Sequence, residues 1–151
     1  MKYLIIILAL YFNSVNAQSL TAFQVHQIST YSFEDIDDLM VIEYDFKRLK
    51  DLEDVNQKVY SNDSEHLDQL IVVTVIKNLK SCANITSIVI KSLANTLEIR
   101  KDLSMIGFVY QGKKLLAPEI VVSEYSKGRD YILITDNTTP TGAFQILSMC
   151  K

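Results

Sequence analysis

Leu39, Ile42, Phe46, Leu49, Leu52, Val55 and Val59 recur at intervals of three and four residues. On an α-helix that spacing draws them into one stripe, which predicts a helix from about Phe33 to Tyr60. Ser32 stands in the N-cap position and Asp35 follows three residues on, an aspartate variant of the capping box. Glu34, Asp35, Asp37 and Asp38 crowd the first turns, where the helix dipole favours anions. Lys47, Arg48, Lys50 and Lys58 come later, where it favours cations. The acidic run therefore reads as a helix start rather than a metal site. SNDSE, Ser61 to Glu65, is a turn made of capping residues.

A second helical pattern follows. Wound at about 100° per residue, His66 to Cys82 gathers Ile71, Val72, Val75, Ile76, Leu79 and Cys82 into one arc, with polar residues opposite. The β-branched run Ile71-Val72-Val73 also suits a strand, but the helical partition is the cleaner one. A third pattern, Asn84 to Leu103, repeats Ile85, Val89, Leu93 and Leu97 at intervals of four. Gln18 to Thr30 has weak periodicity and reads as an irregular lead-in. From Met105 onward, short apolar stretches alternate with QGKK, SKGR and DNTTPTG. They fit either a meander of short β hairpins or further short helices, with Pro118 opening one and Gly128 stopping it. The expected fold is mainly α, an antiparallel helical hairpin or small bundle, with residues 105–150 left open between these forms.

The first residues change the picture of compartment. MKYLIIILALYFNSVNA has a basic residue, an apolar run from Leu4 to Tyr11, and small residues at Val15-Asn16-Ala17. That is the anatomy of a secretory signal, and the run is too short for a bilayer span of about 20 residues. Residues 1–17 are thus expected to be a cleaved signal peptide. Residues 18–151, about 134 of them, then form a single secreted globular domain. Charged or amide residues interrupt every later apolar run, so no transmembrane segment is expected after signal removal.

Charge excludes some partners. The chain carries a net charge of −3, and loss of Lys2 leaves about −4. There is no basic stripe, which argues against nucleic acid as a partner. Cys82 and Cys150 are the two cysteines. In an oxidising compartment an even count favours a disulfide, closing a loop of about 69 residues and contributing roughly 4–5 kcal/mol in the chain-entropy model. Asn62-Asp63-Ser64, Asn84-Ile85-Thr86 and Asn137-Thr138-Thr139 are glycosylation acceptor triplets. On a helix, Cys82 and Asn84 differ by about 200°, so the cysteine would face the core and the asparagine water.

Catalytic constellations are sparse. The histidines are His26 and His66, and there is no G-x-S-x-G elbow, zinc-ligand spacing, calcium loop or phosphate-binding glycine motif. No catalytic residue, metal or cofactor is expected. The reading is a small secreted, non-enzymatic glycoprotein that acts through contact with an extracellular protein or receptor. The alternative is an extracellular carrier of a small hydrophobic ligand between amphipathic helices.

Overall fold

All six residues of Ile71–Ile76 are β-branched, and they form a strand. Such side chains are stiff at χ1 and pack well on a pleated surface, so they outweigh the helical partition seen in the sequence. Ile85–Ile90, β-branched at every position but Ser87, is a strand as well. The computed structural model describes residues 18–78 and 83–151. Its fold is an eight-stranded antiparallel sheet with two α-helices.

In chain order the elements are α1 (Ala22–Thr30), β1 (Lys47–Arg48), β2 (Gln57–Ser61), β3 (Ile71–Ile76), β4 (Ile85–Ile90), α2 (Leu93–Asp102), β5 (Val109–Ala117), β6 (Ile120–Lys127), β7 (Asp130–Thr135) and β8 (Phe144–Cys150). The spatial order is β1-β2-β3-β4-β8-β7-β6-β5. Two meanders, β1 to β4 and β5 to β8, therefore meet where β4 pairs with β8. From β4, near the centre, α2 and a 3₁₀ turn at Leu103–Ile106 lead to β5 at the far edge. Gly107 makes that delivery possible, because it ends the turn at φ 90°, a left-handed conformation that glycine adopts without strain.

The mainly α expectation is thus overturned. The predicted helix Phe33 to Tyr60 is instead a π-helical turn at Asp38–Glu43, β1, a 3₁₀ turn at Lys50–Leu52 and β2. Its apolar stripe is not one core face: Leu39, Phe46 and Val59 are buried, but Ile42 is 75% exposed, Leu52 61% and Val55 91%. Ser32 caps no helix there and bonds the Glu34 carboxylate. Only the second half of the third helical pattern is helical, as α2, with Ser92 as its cap. Leu93 and Leu97 are exposed on it, while Asn95, Thr96 and Ile99 are buried. Conversely, the segment read as a lead-in holds α1. A reciprocal capping box starts it, with Thr21 Oγ1 accepting from Gln24 N and Gln24 Oε1 accepting from Thr21 N.

In the last third the β alternative holds. QGKK lies inside β5 rather than in a turn, whereas SKGR spans the β6–β7 hairpin and DNTTPTG the β7–β8 loop. Pro118 sits in the β5–β6 turn and Gly128 in the β6–β7 turn, so neither bounds a helix.

The helices and the π-helical turn cover one face of the sheet. Leu20, Val25, Ile28, Ile36, Leu39 and Met40 pack with Val73, Ile88, Ile146, Ile134, Ile99 and Leu103 in one buried cluster. Polar side chains fix this layer where regular hydrogen bonding lapses. Asn95 donates to Leu20 O at 2.7 Å and accepts from Leu20 N at 3.2 Å, taking the place of a strand neighbour. Asp37 receives hydrogen bonds from Tyr60, Arg48 and Lys58, which tie the Phe33–Phe46 region to β1 and β2.

Candidate functional site

The other face of the sheet has no helix on it. Exposure alternates strictly along β3, β4 and β8: one set of side chains is buried under the helices and the next is half-buried on the open side. In a sheet solvated on one side, the outward set is normally polar. Here it is not. Val72 pairs across to Val89, Ile76 to Ile85, Thr74 to Ser87, Ser87 to Leu147, Leu147 to Leu133, and Met149 to Tyr131. Eight apolar side chains (Val72, Ile76, Ile85, Val89, Tyr131, Leu133, Leu147 and Met149) thus share one face over four adjacent strands.

The polar residues among them are uncharged. Gln145 Nε2 donates to Ser87 Oγ at 3.0 Å, which satisfies both within the patch. Charge enters only at the margin. Lys114 pairs with Glu124, a buried carboxylate on the same side of β6, and Lys151 places its ammonium 4.1 Å from the Tyr131 ring centroid. With strands about 4.8 Å apart and rows about 7 Å apart, the patch is roughly 15–20 Å on a side. Its exposed apolar area is then on the order of 300 Å², the size class of the largest apolar patch on a monomer, which is often a functional surface. Such a face can take up apolar surface from a partner.

Edge chemistry differs between the two ends of the sheet. β1 is two residues long, whereas β5 runs for nine, with Val109, Tyr110, Leu115 and Leu116 exposed. Bulges interrupt the β5 register at Tyr110/Gly112 and Leu115/Ala117. Bulges of this kind hinder edge-to-edge growth.

Three polar clusters lie on the helix-covered side. Arg100 of α2 donates to Thr135 O at 2.6 Å and to Asp136 Oδ1 at 3.1 Å, and Ser123 Oγ donates to the same Asp136 Oδ1 at 2.7 Å. Lys113 pairs with the other Asp136 oxygen at 2.8 Å. Burial alone would raise the Asp136 carboxyl, but hydrogen bonds from Lys113, Ser123 and Arg100 outweigh it and hold it below the usual value. The Asp37 cluster follows the same logic: burial opposes ionisation, and Tyr60, Lys58 and Arg48 together prevail.

The third cluster contains His26, which lies on α1 rather than in an irregular segment. Its Nε2 is 3.8 Å from Asp130 Oδ2, and its ring meets Phe108 edge-on at 5.2 Å. Burial lowers its pKa; Asp130 works against that and Lys127 adds to it. His66 is exposed, and its backbone N–H donates to Ser64 Oγ. Among the described residues no hydroxyl is hydrogen-bonded to either imidazole, and no group of three or more His, Cys, Asp and Glu side chains could hold a metal.

The other sequence-derived sites fall as follows. Cys150 ends β8, buried on the helix-covered side, and Cys82 lies outside the described residues. Asn62 closes the β2–β3 connection: its Oδ1 accepts from Ile71 N at 2.9 Å and its Nδ2 donates to Gln69 O at 2.8 Å. Asn84 does not lie on a helix facing water. It precedes β4, is 7% exposed, and donates from Nδ2 to Tyr31 O at 2.8 Å. Asn137 is exposed in the β7–β8 loop. The signal-like residues 1–17 lie outside the described residues.

The open face itself was missed in the sequence because its residues were counted on a helical period. Read at a period of two, IVVTVI and ITSIVI are apolar on both sides, the signal that would have found it. Compared with known proteins, the chain matches no family model, no curated protein and no solved structure. No helix among the described residues is long and apolar enough to cross a membrane.

Proposed function

We propose that this chain is a small secreted, non-enzymatic glycoprotein that acts by protein–protein contact outside the cell, and that the open sheet face is its contact surface. The supporting observation is the uncharged, half-exposed apolar face of β3, β4, β8 and β7, on the side of the sheet away from the helices. The alternative role, as a carrier of a hydrophobic ligand, relied on a pair of long amphipathic helices. A sheet with two short helices lends that alternative less support.

The test has two arms. The full chain, tagged at its C-terminus and expressed in secreting cells, is followed into the medium; retention in the cytosol would end the extracellular half of the reading. The recovered protein is then compared with Val89→Lys and Leu133→Lys variants in retaining partners from the native fluid or tissue. Wild type is expected to hold a protein that both variants lose while their melting stays cooperative. Equal retention by all three would move the contact off this face.

A further inference from the structure

Attachment of an N-linked glycan makes a demand that the folded chain has to meet. Asn Nδ2 forms a bond to the anomeric carbon of a sugar, whose bond to the diphosphate oxygen of a lipid-linked oligosaccharide breaks; the diphosphate leaves with the electron pair and one Nδ2 proton is lost. The modified nitrogen keeps a single N–H and must point to open solvent. The three acceptor triplets answer that demand differently.

Asn84 fails it. The side chain is 7% exposed and its Nδ2 donates to Tyr31 O, while its backbone N–H donates to Ser29 O at 3.0 Å. These bonds clamp the end of α1 against the start of β4; the side chain borders a cleft of about 240 Å³ but has little solvent access of its own. Asn62 is half-buried and spends both ends of its amide on the β2–β3 connection. Asn137 is exposed, on a loop whose shape is held without its side chain: Thr139 Oγ1 donates to Ala143 O at 3.0 Å and Thr139 N to the same oxygen at 2.8 Å.

Asn137 also opens onto a cleft of about 280 Å³, lined by Pro118, Glu119, Ile120 and Pro140 among others. That is just below the usual range of roughly 300–1,000 Å³ for ligand pockets. Its walls pair apolar ring and aliphatic surface with polar groups, as the two sides of a sugar ring require. One wall is rigid, because Pro118 has its φ fixed by its ring and Glu119 is held at φ 67° in the β5–β6 turn.

We infer that Asn137 is the acceptor that carries the glycan in the folded protein, with its first sugar against this cleft, and that Asn62 and Asn84 stay unmodified. This rests on the extracellular reading only for the native leader, so the test separates the two. The full chain and a second version with residues 1–17 replaced by a foreign signal peptide are expressed in secreting cells. Secreted protein is treated with an amidase that releases N-glycans, and the sites are mapped by mass spectrometry.

Triplets are removed by Thr139→Val, Ser64→Ala and Thr86→Val. The last abolishes the Asn84 triplet without touching the Asn84 amide bonds. The expected result is complete loss of the glycan shift in Thr139→Val and an unchanged shift in the other two, with Asn137 alone mapped. A glycan at Asn62 or Asn84 in soluble, secreted protein would overturn the inference, as would secreted protein with no glycan. If only the foreign-signal version is exported and it carries the glycan on Asn137, the acceptor assignment stands and the native leader reading fails.

Discussion

Tyr60 donates its hydroxyl hydrogen to Asp37 Oδ1 across 2.6 Å, inside the layer that joins β2 to the π-helical turn. Tyr60 is fully buried, so the bond satisfies a hydroxyl that has no water to turn to. Arg48 and Lys58 reach the other Asp37 oxygen, and Arg48 continues to Glu53. The result is a tie between segments that carry little regular secondary structure. Tyr60→Phe removes one charge-assisted bond without leaving a cavity. It is expected to destabilise the fold by about 1–2 kcal/mol, read from the denaturant midpoint at unchanged slope.

Acid should act through the same groups. The folded Asp37, Glu53 and Asp136 carboxyls lie below their ordinary values. The unfolded chain therefore binds more protons as pH falls. Their contribution is fully present above the unfolded carboxylate range, near pH 4, and is lost as pH drops through the lower folded values. Stability is expected to fall below about pH 4, and less steeply so in Asp37→Asn, which starts less stable but has one such carboxylate fewer.

His26 adds a milder slope at higher pH. Its folded pKa is lowered, chiefly by burial, so its neutral form fits the fold and its stabilisation is lost as pH falls from about 6.5 through the folded value. His26→Gln should flatten the dependence of melting temperature between pH 7 and 5. Asp130 raises the His26 pKa, so Asp130→Asn should move the His26 titration further down in an NMR pH series.

Thr86 is fully buried on β4, and its Oγ1 has no hydrogen-bond partner. Thr86→Val exchanges that orphan hydroxyl for a methyl group of similar shape. Stability is expected to rise by up to about 1 kcal/mol in calorimetric melts, where a hydroxyl with a partner would give a loss.

A pair of substitutions separates the two readings of the apolar stripe. Val55 belongs to the helical stripe of the sequence but is 91% exposed, whereas Ile146 lies fully buried at the centre of the sheet. Val55→Ser should change stability by less than about 0.5 kcal/mol. Ile146→Ala should cost about 2–5 kcal/mol, the range for truncating a packed aliphatic side chain. Equal costs would mean that the stripe is core after all.

What the sequence determined by itself was local. It marked the turns at Ser61–Glu65 and Asp136–Gly142 and the short apolar stretches of β6, β7 and β8. These signals live within a few residues, in capping side chains, turn formers and hydrophobic runs. Ile71–Ile76 and Ile85–Ile90 read as helical in sequence, and both are strands, because short, mostly apolar segments satisfy both periods. Only pairing with partners far along the chain settles the choice, and β4 finds β8 about 60 residues later.

The tertiary structure also decided which polar residues are usable. Asn62, Asn84 and Asn137 carry the same acceptor motif, but the bonds to Gln69, Ile71 and Tyr31 that set the first two apart form only in the folded chain. The open face has the same origin. Val72, Val89, Leu147 and Leu133 are ordinary core-forming residues in sequence. They share an uncovered surface because the helices lie on one side of the sheet.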